Sequence, residues 1–523
     1  MTRQLRTRLR SLGVCCLVAL MSGSAAAADT ATVNATVTIR ADQPGAVINP
    51  NIYGQFAEHL GAGIYEGIWV GEKSPIPNTN GYRNDVVAAL KNLHVPVVRW
   101  PGGCFADLYN WRDGIGPRAK RPTRINVHWG GVTDNNAFGT HEFMDFAELI
   151  GTDAYVSGNV GSLTPYDMAQ WVEYMTSSEN ASLANERRKN GRAKPWNLKY
   201  FGIGNETWGC GGNMSGDYAA SVNARYSTFV TAPASMGMTK VASGGSFNRN
   251  EGDFEAFTEA MMKGGGRMQA LSAHYYAMPS LHATKKPATG FGEGEWAEEL
   301  SYALEMEPYI ARTAAVMDKY DPEKKVAMYV DEWGSWYLQE PGSHPGFLYQ
   351  QNSVRDAEVA ALTLNIFHRH TDRVKMANIA QMINVLQAMI LTDGSKMLLT
   401  PTYHVFDMYQ PFMGATPYAA HVSTPNYSFG GKSLPMVDVS AARGKDGKLY
   451  LALVNTDPNK PAHLATNLPG SGRGQILTGP AMDSHNTFAA PNAIHPVAYS
   501  GSSENGKASF DLPARSVAVV AVQ

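Results

Sequence analysis

Apolar positions along the chain follow two periods, and the change between them divides the sequence. "TVNATVTI" (32–39) alternates, so that Val33, Ala35, Val37 and Ile39 share one face, as in a half-buried strand. From about residue 50, short apolar runs alternate with amphipathic stretches. The runs are "NIYGQF" (51–56), "VPVVRW" (95–100), "DAYVSG" (153–158), "LKYFGIG" (198–204), "KVASGG" (240–245), "LSAHYY" (271–276), "VAMYVDEW" (326–333) and "VKMANIA" (374–380). Helical patterns lie between them, such as "DVVAALKNL" (85–93), "HEFMDFAELI" (141–150) and "RDAEVAALTLNIFHRH" (355–370). Eight such runs separated by helices predict an α/β fold, a (β/α)₈ TIM barrel over residues 49–400. The long intervals after strands two, six and seven are expected to form loops at one face. Beyond about residue 400 the helical pattern stops. "SLPMVDVSAARG", "LYLALVNT", "GQILTG" and "RSVAVVAV" predict short strands of an all-β C-terminal sandwich over 401–523. The strand within residues 29–48 has no place in the barrel and is expected to join that sandwich.

Composition changes this picture little, and the chain's first residues change it more. The 523 residues suit a large barrel with an accessory domain, and 44% hydrophobic with 17% charged residues is ordinary for a folded soluble protein. Arg3, Arg6, Arg8 and Arg10 precede the apolar "LGVCCLVALM" (12–21), and "SAAAAD" then supplies small residues. This is the pattern of a signal peptide cut after Ala28, so an exported, periplasmic or secreted protein is expected. The apolar run is too short for a membrane span. Cys15 lies within it and follows Val14, which argues against a lipoprotein, and the separated arginines argue against a twin-arginine signal. Removing residues 1–28 takes away four arginines and no acid, so the formal net charge falls from -2 to -6. Such a surface lacks the electrostatic footprint of a nucleic-acid binder. Only Cys104 and Cys210 remain after cleavage, either as a disulfide permitted by an oxidising compartment or as two buried thiols.

Chemistry concentrates at two strand ends with the same grammar. "YFGIGNETWGC" (200–210) carries Asn205 and Glu206 just past an apolar run, and "MYVDEWGSWY" (328–337) carries Asp331 and Glu332 in the same place. Trp208, Trp333 and Trp336 flank them. In a parallel barrel both ends point to the C-terminal face, where active sites are built. A single strand-end acid is commonly a solvated loop residue. Two acids from different strands, set among indoles, fit glycoside hydrolysis, in which one carboxyl stays protonated and the other is ionised. Competing motifs are incomplete. Gly244-Gly245-Ser246-Phe247-Asn248 lacks the last glycine of a serine-hydrolase elbow. Asp145 stands where a zinc helix opened by His141-Glu142 needs its second histidine, and Asn426 replaces the first glycine of a phosphate loop ending in "GGKS". His274 has no metal-spaced partner and reads as a pocket or structural residue. Arg99 reads as a buried strand charge or, as favoured here, as the group that keeps Glu332 ionised.

The blocks "NIYGQFAEHLG", "VVRWPGGCFADLYNWRDGIGPRAKRP", "FGIGNETWGCGG", "LSAHYY", "DEWGSWY" and "NIAQMINVLQAMI" resemble the α-L-arabinofuranosidases of glycoside hydrolase family 51. The likeness runs from about residue 48 into the C-terminal domain. It implies a retaining enzyme with Glu206 as acid/base and Glu332 as nucleophile. It further implies that Glu58 and Asn205 bind sugar hydroxyls, that Tyr276 lies near the nucleophile, and that Gln381 and Trp336 line the pocket. Cys104 occupies a position where the family carries Cys or Asn against the sugar, a contact that a disulfide to Cys210 would withdraw. The expected function is therefore release of terminal α-L-arabinofuranosyl groups from plant polysaccharides or oligosaccharides, with no metal or organic cofactor. The rival readings are an endo-β-1,4-glucanase or β-xylosidase on the same scaffold and a non-catalytic sugar-binding protein. Monomer and oligomer are both compatible with the sequence.

Overall fold

The computed structural model describes residues 32–247, 253–280 and 283–523. Eight parallel strands close into a barrel in chain order: Gly54–Phe56, Val97–Trp100, Asp153–Gly158, Leu198–Ile203, Thr239–Ala242, Ala270–Tyr276, Ala327–Gly334 and Val374–Ile379. Each of the eight apolar runs supplies one of them. Val97, Tyr155, Val241, Ala270, Tyr329 and Met376 fill the interior, so the barrel is a packed core rather than a pore. Helices cover the outside, including Asn84–Asn92, Thr140–Ile150 and Val354–Arg369. Gly151 ends the second of these in the left-handed region, at φ 78°, a conformation that costs glycine little.

A second layer of structure is built from ten strands among the described residues, hydrogen-bonded into one continuous sheet. The N-terminal strand Val33–Pro44 lies in its middle, antiparallel to Thr416–Ser423 and parallel to Ala462–Pro469. The helix Val354–Arg369 is clamped between barrel and sheet and is buried along almost its whole length. A helix buried on all sides is expected to be apolar throughout. This one also carries Asn365 and His368, which are satisfied by Asp438 and by Tyr53 and Ser440. The helical pattern also runs slightly further than the sequence reading allowed. Pro401–Met408 forms one more helix, with Thr400 capping Tyr403 N and proline at the first position.

The loops at the C-terminal ends of the barrel strands carry the site. Residues 101–139 include a small hairpin, Arg124–Asn126 with Val132–Asp134, whose tip brings Trp129 over the barrel mouth. Among the described residues, no helix is long and apolar enough to cross a membrane.

Candidate active site

The fourth strand ends at Ile203, and the chain then turns through two left-handed residues, Gly204 (φ 81°) and Glu206 (φ 40°). Glycine adopts this region freely, whereas glutamate does so at a cost that is most often met at functional positions. The turn brings the Glu206 carboxyl against His274 of the sixth strand. Its Oε1 accepts from His274 Nδ1 at 2.9 Å, and its Oε2 lies 3.7 Å from Cys210 Sγ. Cys210 is bonded to Cys104, with Cα atoms 5.4 Å apart, so the loops after strands two and four are joined beside the acid.

The seventh strand presents two acids by a different device. Consecutive strand residues normally face opposite sides. Here the pairing register shifts along both edges of the strand, between Ser272 and His274 on one neighbour and between Val330 and Trp333 on its own side. Such irregularities re-aim side chains. As a result both Asp331 and Glu332 pair with Arg99, at 3.7 and 3.0 Å. Trp333 is turned out of the site and packs on Phe367 and Phe406, contrary to the expectation that it flanks a sugar.

Arg99, on the second strand, ties the constellation together. It donates to Glu332 Oε2 and to the Asp331 carbonyl, and its other terminal nitrogen donates to Asn205 Oδ1. Tyr276 donates to Glu332 Oε1 at 2.7 Å, and Trp336 meets the Tyr276 ring edge-on at 5.1 Å. Glu58 accepts from Gly103 N, Phe105 N and Trp129 Nε1 on one oxygen and from Gln381 on the other. Gly103 allows a close approach that no other residue could make freely. A Cβ there would sit 3.2 Å from Glu332 Oε2 and 3.4 Å from Asn205 Nδ2. The predicted residues Glu58, Arg99, Asn205, Glu206, His274, Tyr276, Glu332, Trp336 and Gln381 thus lie in one connected network at the barrel mouth.

The electrostatics of the two strand ends differ. Burial pushes the Glu206 carboxyl up, the hydrogen bond from His274 opposes this, and the charge on Glu332 adds to it. Burial alone would lower His274, but Glu332, Asp331 and Glu206 outweigh it and lift the imidazole to about 10, so it is a cation at neutral pH. Asp331 is held at about 2, against its burial, by Arg99, His274 and Ser272. Burial and Glu332 together raise Glu58 to about 7. One ligand atom each from Glu206, His274 and Glu332 lie within 4.8 Å of one another. Carboxyl pairs of retaining glycosidases are about 5–5.5 Å apart, and those of inverting enzymes about 6.5–9.5 Å.

Sequence reasoning passed over Asp107 and Trp129, and it gave Asp331, named at its strand end, no role of its own. Asp107 accepts from the backbone of Val160, Gly161 and Asn205, holding the fourth-strand turn from below, and burial raises it to about 7. Trp129 covers Glu58, and Asp331 anchors His274 and Arg99. Of the two passed over, only Trp129 had a local signal, an indole in the glycine-flanked "HWGG".

A barrel with paired acids at its C-terminal mouth defines the class: the protein is a glycoside hydrolase. Residues 89–289 match the family described as the α-L-arabinofuranosidase 1 domain, and residues 331–516 match the α-L-arabinofuranosidase C-terminal domain. An intracellular exo-α-L-arabinofuranosidase of Bacteroides ovatus is 46% identical over 496 residues, covering 94% of this chain and 96% of the relative. The crystal structure of the GH51 arabinofuranosidase from Xanthomonas axonopodis pv. citri has a TM-score of 0.91 and 54% identity, covering 94% of this chain and all of that one. The arabinose complex of the α-L-arabinofuranosidase from Thermotoga maritima gives 0.80 and 27%, covering 93% and 99%. The chain belongs to the α-L-arabinofuranosidases of glycoside hydrolase family 51.

The relative from Bacteroides ovatus corrects one expectation. It is named intracellular, which overturns the reading of this chain as exported. A basic stretch, a short apolar run and small residues satisfy an export pattern on composition alone, and residues 1–31, which carried it, lie outside the described residues.

Proposed function

We propose that this protein is a retaining exo-hydrolase that releases terminal non-reducing α-L-arabinofuranosyl groups from arabinose-containing polysaccharides and oligosaccharides. Glu332 attacks the anomeric carbon while Glu206 protonates the departing oxygen. A glycosyl-enzyme ester forms on Glu332. Glu206, now ionised, takes a proton from water, and that water releases arabinose with net retention. The single observation that carries this reading is the approach of two acids with different surroundings. Glu206 is pushed toward its protonated form, whereas Glu332 has a guanidinium at 3.0 Å.

The neighbours have supporting roles. Cationic His274 sits between the two acids and stabilises Glu206 once it has given up its proton. Glu58, Asn205 and Gln381 offer acceptors and donors to sugar hydroxyls, and the Gln381 carbonyl oxygen has no partner among the described residues. Tyr276 and Trp336 supply apolar surface against the ring. The disulfide leaves Cys104 without a thiol to offer the sugar. Arabinose-containing substrates fit the family. An endo-acting glucanase or a xylosidase is not favoured, and a binding protein would not require both acids.

The test is hydrolysis of an aryl α-L-arabinofuranoside followed by NMR, beside aryl β-xyloside and β-cellobioside. The first product should be the α-anomer, and the arabinofuranoside should be the preferred substrate. A β-anomer as first product would overturn the double displacement.

A further inference from the structure

Cys104 and Cys210 stand on different loops, and both sulfurs lie against Glu206. One ligand atom from each of Cys104, Glu206 and Cys210 falls within 4.8 Å of the others. In the bonded pair the sulfurs hold each other and cannot act as thiolate ligands. A reducing compartment or a dithiol reductant opens such a bond. The disulfide then accepts two electrons and two protons from the dithiol, which becomes a disulfide itself, and two thiols are left beside a carboxyl group.

Their spacing suits a tetrahedral ion. With Zn–S of about 2.3 Å and Zn–O of about 2.0 Å, ligand atoms in a tetrahedral zinc site lie roughly 3.5–3.8 Å apart. Cys210 Sγ and Glu206 Oε2 are already at 3.7 Å. The two Cα atoms are 5.4 Å apart, so the sulfurs reach this separation by rotation of their side chains while the strand ends stay in place. The other Glu206 oxygen is held by His274 at 2.9 Å, and ligating carboxylates are commonly fixed by such an outer hydrogen bond. Two soft thiolates with one carboxylate select zinc-like cations over magnesium or calcium.

We propose that reduction of the Cys104–Cys210 disulfide creates a binding site for a thiophilic divalent cation, formed by both thiolates and Glu206, and that its occupation stops hydrolysis. Two Zn–S bonds and one Zn–O bond form, and both thiols lose their protons to solvent, as does Glu206 when it is protonated. The ion takes the Glu206 oxygen needed for proton transfer. The loss of activity rests on the reading of Glu206 as acid/base, whereas the binding does not.

The experiment compares the full-length protein in its disulfide form with the same protein reduced by a phosphine and freed of it under anaerobic conditions. Zinc chloride is titrated by calorimetry, and cobalt(II) is followed by its absorption spectrum. The reduced protein should bind one zinc per chain and show thiolate-to-cobalt charge transfer. It should also lose hydrolysis at one equivalent of zinc and recover it with EDTA. The disulfide form should do none of these. Absence of the charge-transfer band, or equal inhibition of the two forms by zinc, overturns the proposal. Binding without loss of activity overturns its inhibitory part, and Glu206→Gln then locates the fault. An unchanged cobalt spectrum in that variant means that Glu206 is not a ligand. A changed spectrum together with preserved hydrolysis means that the acid/base reading is wrong.

Discussion

The ends of the fourth and seventh barrel strands carry acids in nearly the same local sequence, yet they hold them by different physics. Glu206 sits in a left-handed turn with one charged neighbour in hydrogen-bond contact, His274, and its loop is tied by a disulfide. Glu332 sits on strand backbone where the pairing register shifts, bonded to Arg99 and Tyr276. Exposure does not separate them, since their side chains are 15% and 11% exposed. What differs is the number and kind of the partners. A buried acid with weak compensation holds its proton, and one beside a fixed guanidinium has a ready counter-ion. The partners that distinguish the two glutamates come from other strands, above all Arg99 from strand two and His274 from strand six.

Removing either acid breaks the comparison most severely. Glu332→Ala should lower kcat on all substrates by on the order of 10⁴–10⁶-fold, with no glycosyl-enzyme detected by intact-mass measurement. Glu206→Ala should cost about 10²–10⁴-fold on natural linkages but much less on aryl glycosides with good leaving groups. Azide should rescue the second variant and form the glycosyl azide. Equal losses on both substrate classes in both variants would erase the proposed distinction.

Arg99→Met tests the counter-ion directly. It leaves Asp331 and Glu332 buried beside each other without their guanidinium, a type of change that costs about 3–5 kcal/mol. A fall in the denaturation midpoint together with loss of activity is expected. A variant as stable as the parent would show that the guanidinium is not what compensates these acids.

Opening the disulfide should affect the fourth-strand end more gently. Cys104→Ser with Cys210→Ser removes a link that spans 106 positions, and such links contribute roughly 2–4 kcal/mol. Calorimetry should show a lower Tm. The change should act on the Glu206 half-reaction, seen as slower turnover of poor leaving groups, before it touches attack by Glu332.

The smallest effect expected is on pH dependence. His274 holds Glu206 down, so His274→Gln should move the alkaline limb of kcat/KM to higher pH. The same substitution also reports on stability. His274 is lifted to about 10 in the fold, compared with about 6.5 for an unperturbed imidazole. Its contribution is therefore fully present below about pH 6.5 and is lost as pH rises toward 10. The variant should be less stable than the parent at pH 6 and converge with it near pH 10, as read from thermal melts at each pH.

Much of the site was legible because its carriers are local. Gly204 before Glu206, the paired glycines at 102 and 103, and the apolar runs ahead of each acid are sequence neighbours with a fixed structural meaning. The support beneath the acids was less so. Asp107 reads as one acid in an irregular loop, and only the fold brings the amides of Val160, Gly161 and Asn205 onto it. Trp333 misled for the converse reason. It neighbours Glu332 in the chain, but a register shift settled which of the two side chains entered the barrel.

The sequence by itself determined the period of each segment, hence eight strands alternating with helices, the β-rich C-terminal part, and the two strand ends where acids gather. These follow from side-chain size, polarity and backbone freedom acting over a few residues. Tertiary structure decided how Glu206, Asp331 and Glu332 share His274 and Arg99, which indole packs on Tyr276, and that Cys104 and Cys210 are bonded. Those outcomes depend on distances of a few ångströms between residues far apart in the chain, as between Arg99 and Glu332, and Coulomb and hydrogen-bond energies vary steeply over that range.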